Sequence, residues 1–166
     1  MPDATGFEQF YRENLARIVR ACALVTLDRS VAEEVAAEAF ARTWSRWGVI
    51  RSEDHAGGYV FKTAMRLCAR EVRRRRRVGV IPTALEDTPE RALDRHDVQQ
   101  ALSSLPLRQR QVVVLRDWAG FETAEVGRLL GMRPSTVRVH LARARQHLRR
   151  VLTLEEGKHE YRPARP

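Results

Sequence analysis

Three groups of side chains in this chain have types and spacing suited to holding an anionic polymer or a charged partner, and none is suited to bond-making. The first follows Gly131. Val137, Leu141, Ala144, Leu148 and Val151 recur at i, i+4, i+7, i+11 and i+14, one buried stripe of a helix, which leaves Arg133, Ser135, Arg138, Val139, Ala142 and Arg143 on its other faces. Such a helix presents donors to phosphates and base edges when it lies in a DNA groove. The second group is Lys62, Arg66, Arg70, Arg73 or Arg74, and Arg77, spaced three to four apart, so that they form one cationic stripe. Tyr59 stands one turn before Lys62 and Phe61 beside it, and charge headed by aromatics suits tracking phosphates and stacking an unpaired base. The third is Glu34, Glu38 and Arg42, an i, i+4 row outside the apolar face of Val35, Ala36, Ala39, Phe40, Thr43, Trp44 and Trp47. It is either a solvated face or a docking patch for a basic partner.

Nucleophilic and metal chemistry find little to use. No His sits with a nucleophile and a carboxylate in a Gly-rich turn, so we assign no catalytic residues and expect no enzyme. Cys22 and Cys68 fall on apolar helical faces as buried reduced thiols, and without a Cys-x-x-Cys pair no metal or other cofactor is expected. His140 and His147, seven apart among arginines, read as DNA-side or surface residues rather than metal ligands.

Charge is distributed in blocks. The 166 residues carry a formal net charge of +9, which favours a polyanion as partner. Residues 1–58 are net −2, 59–78 net +7, 79–96 net −2 and 97–152 net +6, so two basic blocks flank an acidic connector. No apolar run is long enough to span a bilayer and the N-terminus lacks signal-peptide order, which predicts a cytoplasmic protein without membrane contact.

The elements that must position these groups are all helical. A first helix carries Phe7, Tyr11, Leu15, Ile18, Cys22 and Val25 and ends near Leu27-Asp28. A second starts with either Asp28 as cap or a Ser30-Val31-Ala32-Glu33 capping box. Arg51 to Gly58 reads as a loop, and a third helix runs from about Gly58 to Arg77 with Val60, Ala64, Leu67, Cys68 and Val72 facing inward. Leu105 to Arg149 reads as two helices held against a third, a helix-turn-helix, with left-handed glycines at Gly120 and Gly131 and Pro134 at N1 of the last helix. The fold class is therefore all-α: two small helical domains over 1–78 and 97–152, an acidic semi-extended linker over 79–96, and a disordered tail over 153–166. About 17 linker residues at roughly 3.3 Å each span about 55 Å, or about one and a half turns of duplex.

The pattern from Phe7 to Leu152 resembles the bacterial RNA polymerase sigma factors of the extracytoplasmic-function (ECF) group. Ala32-Glu33-Glu34-Val35-Ala36-Ala37-Glu38-Ala39-Phe40-Ala41-Arg42-Thr43-Trp44 is similar to the family's A-E-D-x-x-Q-E-x-F-x-[RK]-x-W, with Ala37 in place of Gln. Tyr59 to Arg74 resembles its −10-reading helix, with Arg66 and Arg70 more basic than usual and the family's Asn absent. Leu105-Pro106, Arg110, Leu115-Arg116, Gly120, Glu125-Val126, Leu130-Gly131 and Thr136-Val137-Arg138 fit its C-terminal frame, which has Ser caps where this chain has Glu122 and Arg133.

The resemblance implies a σ2–linker–σ4 layout and three partners: core RNA polymerase through its beta-prime clamp helices and beta flap, promoter DNA, and an anti-sigma factor. It implies that Glu33, Glu34, Glu38, Arg42 and Trp44 bind the polymerase. Tyr59, Phe61, Lys62, Arg66, Arg70, Arg73 and Arg74 would read the −10 element, and Arg133, Ser135, Thr136, Arg138, Val139, His140 and Arg143 the −35 element. The rival is a free-standing helix-turn-helix regulator, which needs a sensing domain with strands; the first 96 residues show no period-2 alternation.

Overall fold

A computed structural model describes the backbone of residues 4–50, 53–80 and 98–160. Regular structure among them is helical throughout: α1 (Ala4–Thr26), α2 (Arg29–Trp44), α3 (Glu53–Val78), α4 (98–103), α5 (Leu107–Val113, continued by a π-helical turn Val114–Trp118), α6 (Thr123–Leu130) and α7 (Pro134–Glu160). The expected linker lies, from residue 81, outside the described residues, as does the tail beyond Glu160.

The corner between α1 and α2 shows which cap is used. Asp28, itself buried, accepts the Val31 N–H at 3.0 Å through one carboxylate oxygen and takes the Arg75 guanidinium at 2.8 Å on the other. Ser30 lies inside α2. Just before the cap Leu27 has φ 61°, a left-handed conformation that usually falls to glycine. Its side chain is buried in the core, so packing holds it there.

Two boundaries differ from the sequence reading. α3 begins at Glu53, so all but the first two residues of the expected 51–58 loop are helical. Ala56 and Val60, one turn apart, are both fully buried, and that packing outweighs the poor helix propensity of Gly57-Gly58. At the other end α7 continues to Glu160 instead of giving way to a disordered tail at residue 153. Its first five turns are docked by Val137, Leu141, Ala144 and Leu148, and the following Leu-Glu-Glu stretch propagates a helix already nucleated.

α1, α2 and α3 pack together as one unit, and α5, α6 and α7 as another. The two share one continuous hydrophobic core, with α3 against α6 and α1 against α5 and the π-helical turn. The sequence reading joins the two units only through a linker; their faces also meet directly.

Candidate nucleic-acid interface

The helix-turn-helix has its predicted geometry. Gly131 closes α6 with φ 67°, and Gly120, at φ 79°, ends the preceding π-helical turn. Glu125 caps α6 by accepting the Glu122 N–H at 2.7 Å, so the start of this helix is closed without a serine. Gly127, which sequence reasoning passed over, fixes the approach of the turn. A Cβ there would lie 2.6 Å from the Met132 carbonyl oxygen, and the Met132 N–H in turn donates to the Gly127 carbonyl at 2.8 Å. A glycine inside an otherwise helical pattern was the available signal.

On α7 the buried stripe is the one expected, with Val137 and Ala144 fully covered and Leu141 nearly so. Ser135, Thr136, Arg138, Val139 and Arg143 are exposed on the first three turns and Arg133 just before them, and Val139 is an apolar side chain left 48% exposed. His140 is half-buried, with Nδ1 turned inward and lacking a partner among the described residues. Arg145 is removed from this face: it donates twice to Asp117, at 3.0 and 2.5 Å, tying α7 to the π-helical turn.

The stripe on α3 is also present, with differences at its two ends. Lys62, Arg66, Arg70 and Arg73 are exposed. Tyr59 is half-buried beneath the guanidinium of Arg46, 5.9 Å from its ring centroid, a neighbour the sequence did not suggest. Arg74 spends its donors on Glu71 at 2.6 and 3.0 Å, and this hydrogen bond holds the Glu71 carboxyl below the usual carboxylate range. Arg75 is structural, bonded to Asp28 and Glu71. Phe61 needs correction, because its ring is 1% exposed and lies in the junction between the two halves rather than beside the stripe. A residue two positions after Tyr59 points about 200° around the helix, toward the core.

The acidic row lies along α2. Glu33, Glu34, Glu38 and Arg42 are exposed; Glu38 takes Arg42 at 2.7 Å and Glu33 takes Arg29 at 3.0 Å. Trp44, read as part of the buried face, is 38% exposed and lies tilted at 58° against Phe7, 4.9 Å between ring centroids. With Phe7, Tyr11, Ala37, Phe40 and Ala41 it lines an open apolar groove of about 420 Å³ beside the charged row. Small Ala37 and Ala41 leave room for the groove. The thiols behave as expected: both are buried, and a hydrogen bond with Cys22, reinforced by burial, pushes the Cys68 thiol well up.

Comparison with known proteins gives one consistent picture. Residues 10–78 match the Sigma-70 region 2 family and residues 95–148 the Sigma-70 region 4 family. The chain is 30% identical over 162 residues to the RNA polymerase sigma-E factor of Streptomyces coelicolor, covering 94% of this chain and 91% of that protein. It is also 30% identical over 158 residues to the ECF RNA polymerase sigma factor SigM of Mycobacterium tuberculosis, covering 90% and 79%. In fold it is similar to the sigma factor RpoE in complex with the anti-sigma factor NepR from Bartonella quintana, with TM-score 0.80, 20% identity, and coverage of 90% and 98%. A second similar fold is CnrH in complex with the cytosolic domain of CnrY, with TM-score 0.73, 18% identity, and coverage of 92% and 90%.

Proposed function

The chain belongs to the sigma-70 family, in its ECF group, and from that premise we propose how its surfaces divide the work of directing promoter-specific transcription initiation. The observation that carries the proposal is the face of α7: of the seven residues assigned to the −35 element, five are exposed on its first three turns and Arg133 is exposed just before it, behind a left-handed glycine turn. In a major groove the N-terminal turns of such a helix meet base edges, Arg138 as a donor to guanine and Val139 as an apolar contact. Arg133 and Arg143 flank them and hold phosphates.

The region 1–78 docks the core polymerase and acts on the −10 element, and 97–152 reads the −35 element. On α2 the charged row fixes orientation, while the Phe7–Trp44 groove supplies the apolar area that a charge row alone cannot. The beta-prime clamp helices are the partner for this face and the beta flap for the C-terminal half. On α3, Lys62, Arg66, Arg70 and Arg73 hold the backbone of opened DNA and Tyr59 stacks on a base. An anti-sigma factor is a further partner. The chain supplies no catalytic group, works in the cytoplasm and leaves the chemistry to the polymerase.

Run-off transcription with purified core polymerase on genomic fragments tests the reading. Discrete transcripts that depend on the chain are expected. Sequence-specific binding of DNA by the chain alone, with no core-dependent transcripts, would overturn it in favour of a free-standing regulator.

A further inference from the structure

The exposed face of α7 does not end with the residues assigned to the −35 element. Ser135, Val139, Arg143, Gln146 and Arg150 follow one another at spacings of 4, 4, 3 and 4, so they lie along one face of the helix, and all five are exposed. At about 1.5 Å per residue, Arg143 stands about 12 Å and Arg150 about 22 Å along the helix from Ser135. A major groove is only about 12 Å wide, so a helix that enters it by its N-terminal end fills it with the first three turns. The next two turns run out past the groove edge, where the strand backbone passes.

Those two turns form one wall of an open cleft of about 390 Å³. Arg143, Gln146, His147 and Arg150 come from α7, Ser104 from the segment before α5 and Gln109 from the first turn of α5. The lining contains no carboxylate, and neither Arg143 nor Arg150 has an ion-pair partner among the described residues. In this they differ from Arg145, which is committed to Asp117. The side chains of Gln109 and Gln146 are likewise without a hydrogen-bond partner among the described residues. Ser104 and His147 tie the two walls together. The Ser104 hydroxyl donates to the Ala101 carbonyl at 2.6 Å, so the 2.8 Å contact between Ser104 Oγ and His147 Nε2 needs the imidazole as donor. With the hydroxyl proton directed at a backbone carbonyl, the pair is not a nucleophile with its base. It is a strut that fixes Gln109 relative to α7.

We propose that this cleft is a clamp for one phosphodiester of the promoter duplex flanking the −35 element, with Arg143 and Arg150 on its non-bridging oxygens and the Gln109 and Gln146 amides as further donors. The proposal rests on the −35 reading above for the presence of duplex at α7. What singles out a phosphate is the donor set. Two unpaired guanidinium groups and two free amides, with no acid among them, match an anion whose charge is shared by two oxygens. A backbone contact of this kind fixes register and carries no sequence preference of its own. The clamp therefore raises affinity for every −35 sequence alike, while Arg138 discriminates among them.

The test uses core polymerase loaded with the full chain and a promoter fragment found by run-off transcription. Methylphosphonates, each of which removes one backbone charge, are placed singly at the phosphates within about five base pairs, half a helical turn, of either edge of the −35 element. At one position the replacement should weaken wild-type binding about tenfold, as expected for one charge-assisted contact. Arg150→Ala should weaken binding to unmodified DNA by a similar factor on every −35 variant and lower the log–log salt slope by about 0.9. It should also abolish the effect of that one methylphosphonate. Arg149→Ala removes the same charge one residue away and outside the cleft, and should leave the methylphosphonate effect intact. Wild type and Arg150→Ala equally sensitive to every methylphosphonate, or Arg149→Ala indistinguishable from Arg150→Ala, would overturn the clamp. Inorganic phosphate added at constant ionic strength should leave wild-type affinity unchanged. Competition that depends on Arg150 would make the cleft a site for free phosphate and overturn its assignment to DNA. If the holoenzyme bound no fragment specifically, the functional reading would fall and the clamp with it; a fragment bound specifically, and alike by wild type and Arg150→Ala, would overturn the clamp alone.

Discussion

At the residue scale, carboxylate partners separate arginines that are close in sequence into different jobs. Arg138 and Arg143 face solvent from α7, while Arg145 is committed to Asp117; Arg73 is exposed, while Arg75 is committed to Asp28. Replacing Arg138 by alanine should cost about 1–3 kcal/mol of promoter affinity and relax preference at one base position, read from binding to a panel of −35 variants. Equal loss on every sequence would make it a phosphate contact instead. Gly127→Ala tests the fold of the same unit. Alanine is favoured by about 1 kcal/mol inside a helix, yet here its Cβ meets a backbone oxygen at 2.6 Å. Forcing the turn apart should outweigh the gain and destabilise the domain by about 1–3 kcal/mol, seen as a lower midpoint in thermal unfolding. An unchanged or raised midpoint would show that the Met132 carbonyl moves aside freely.

At the element scale, periodicity made the helices legible and tertiary packing set their ends. The α7 stripe, the Gly131 turn and Pro134 at N1 could all be read from local rules, since each depends only on spacing or on a backbone preference. The start of α3 could not, because Gly57-Gly58 argues locally for a loop and only the burial of Ala56 reverses it. Trp44 and Phe61 mark the same limit at the candidate sites. Each is apolar on a helix, and which one is buried depends on the neighbouring element: Phe121 covers Phe61, while Phe7 covers only part of Trp44. For α2 the consequence is testable. Glu38→Arg removes the pair with Arg42 and sets like charge against a basic polymerase surface, so core binding should fall while −35 duplex binding by the chain is retained. Its effect on folding should be small, since an exposed i, i+4 pair contributes about 0.3–0.5 kcal/mol. Wild-type affinity for core would mean that the row is only solvated.

At the scale of the whole molecule, the connector hid what matters most. Chain length and charge blocks suggested two independent basic domains, and nothing local to Gln111 or Phe121 says that they reach across to α3. A polar residue at the start of the Gln111-Val112-Val113-Val114 run was the one signal that a buried polar contact was needed.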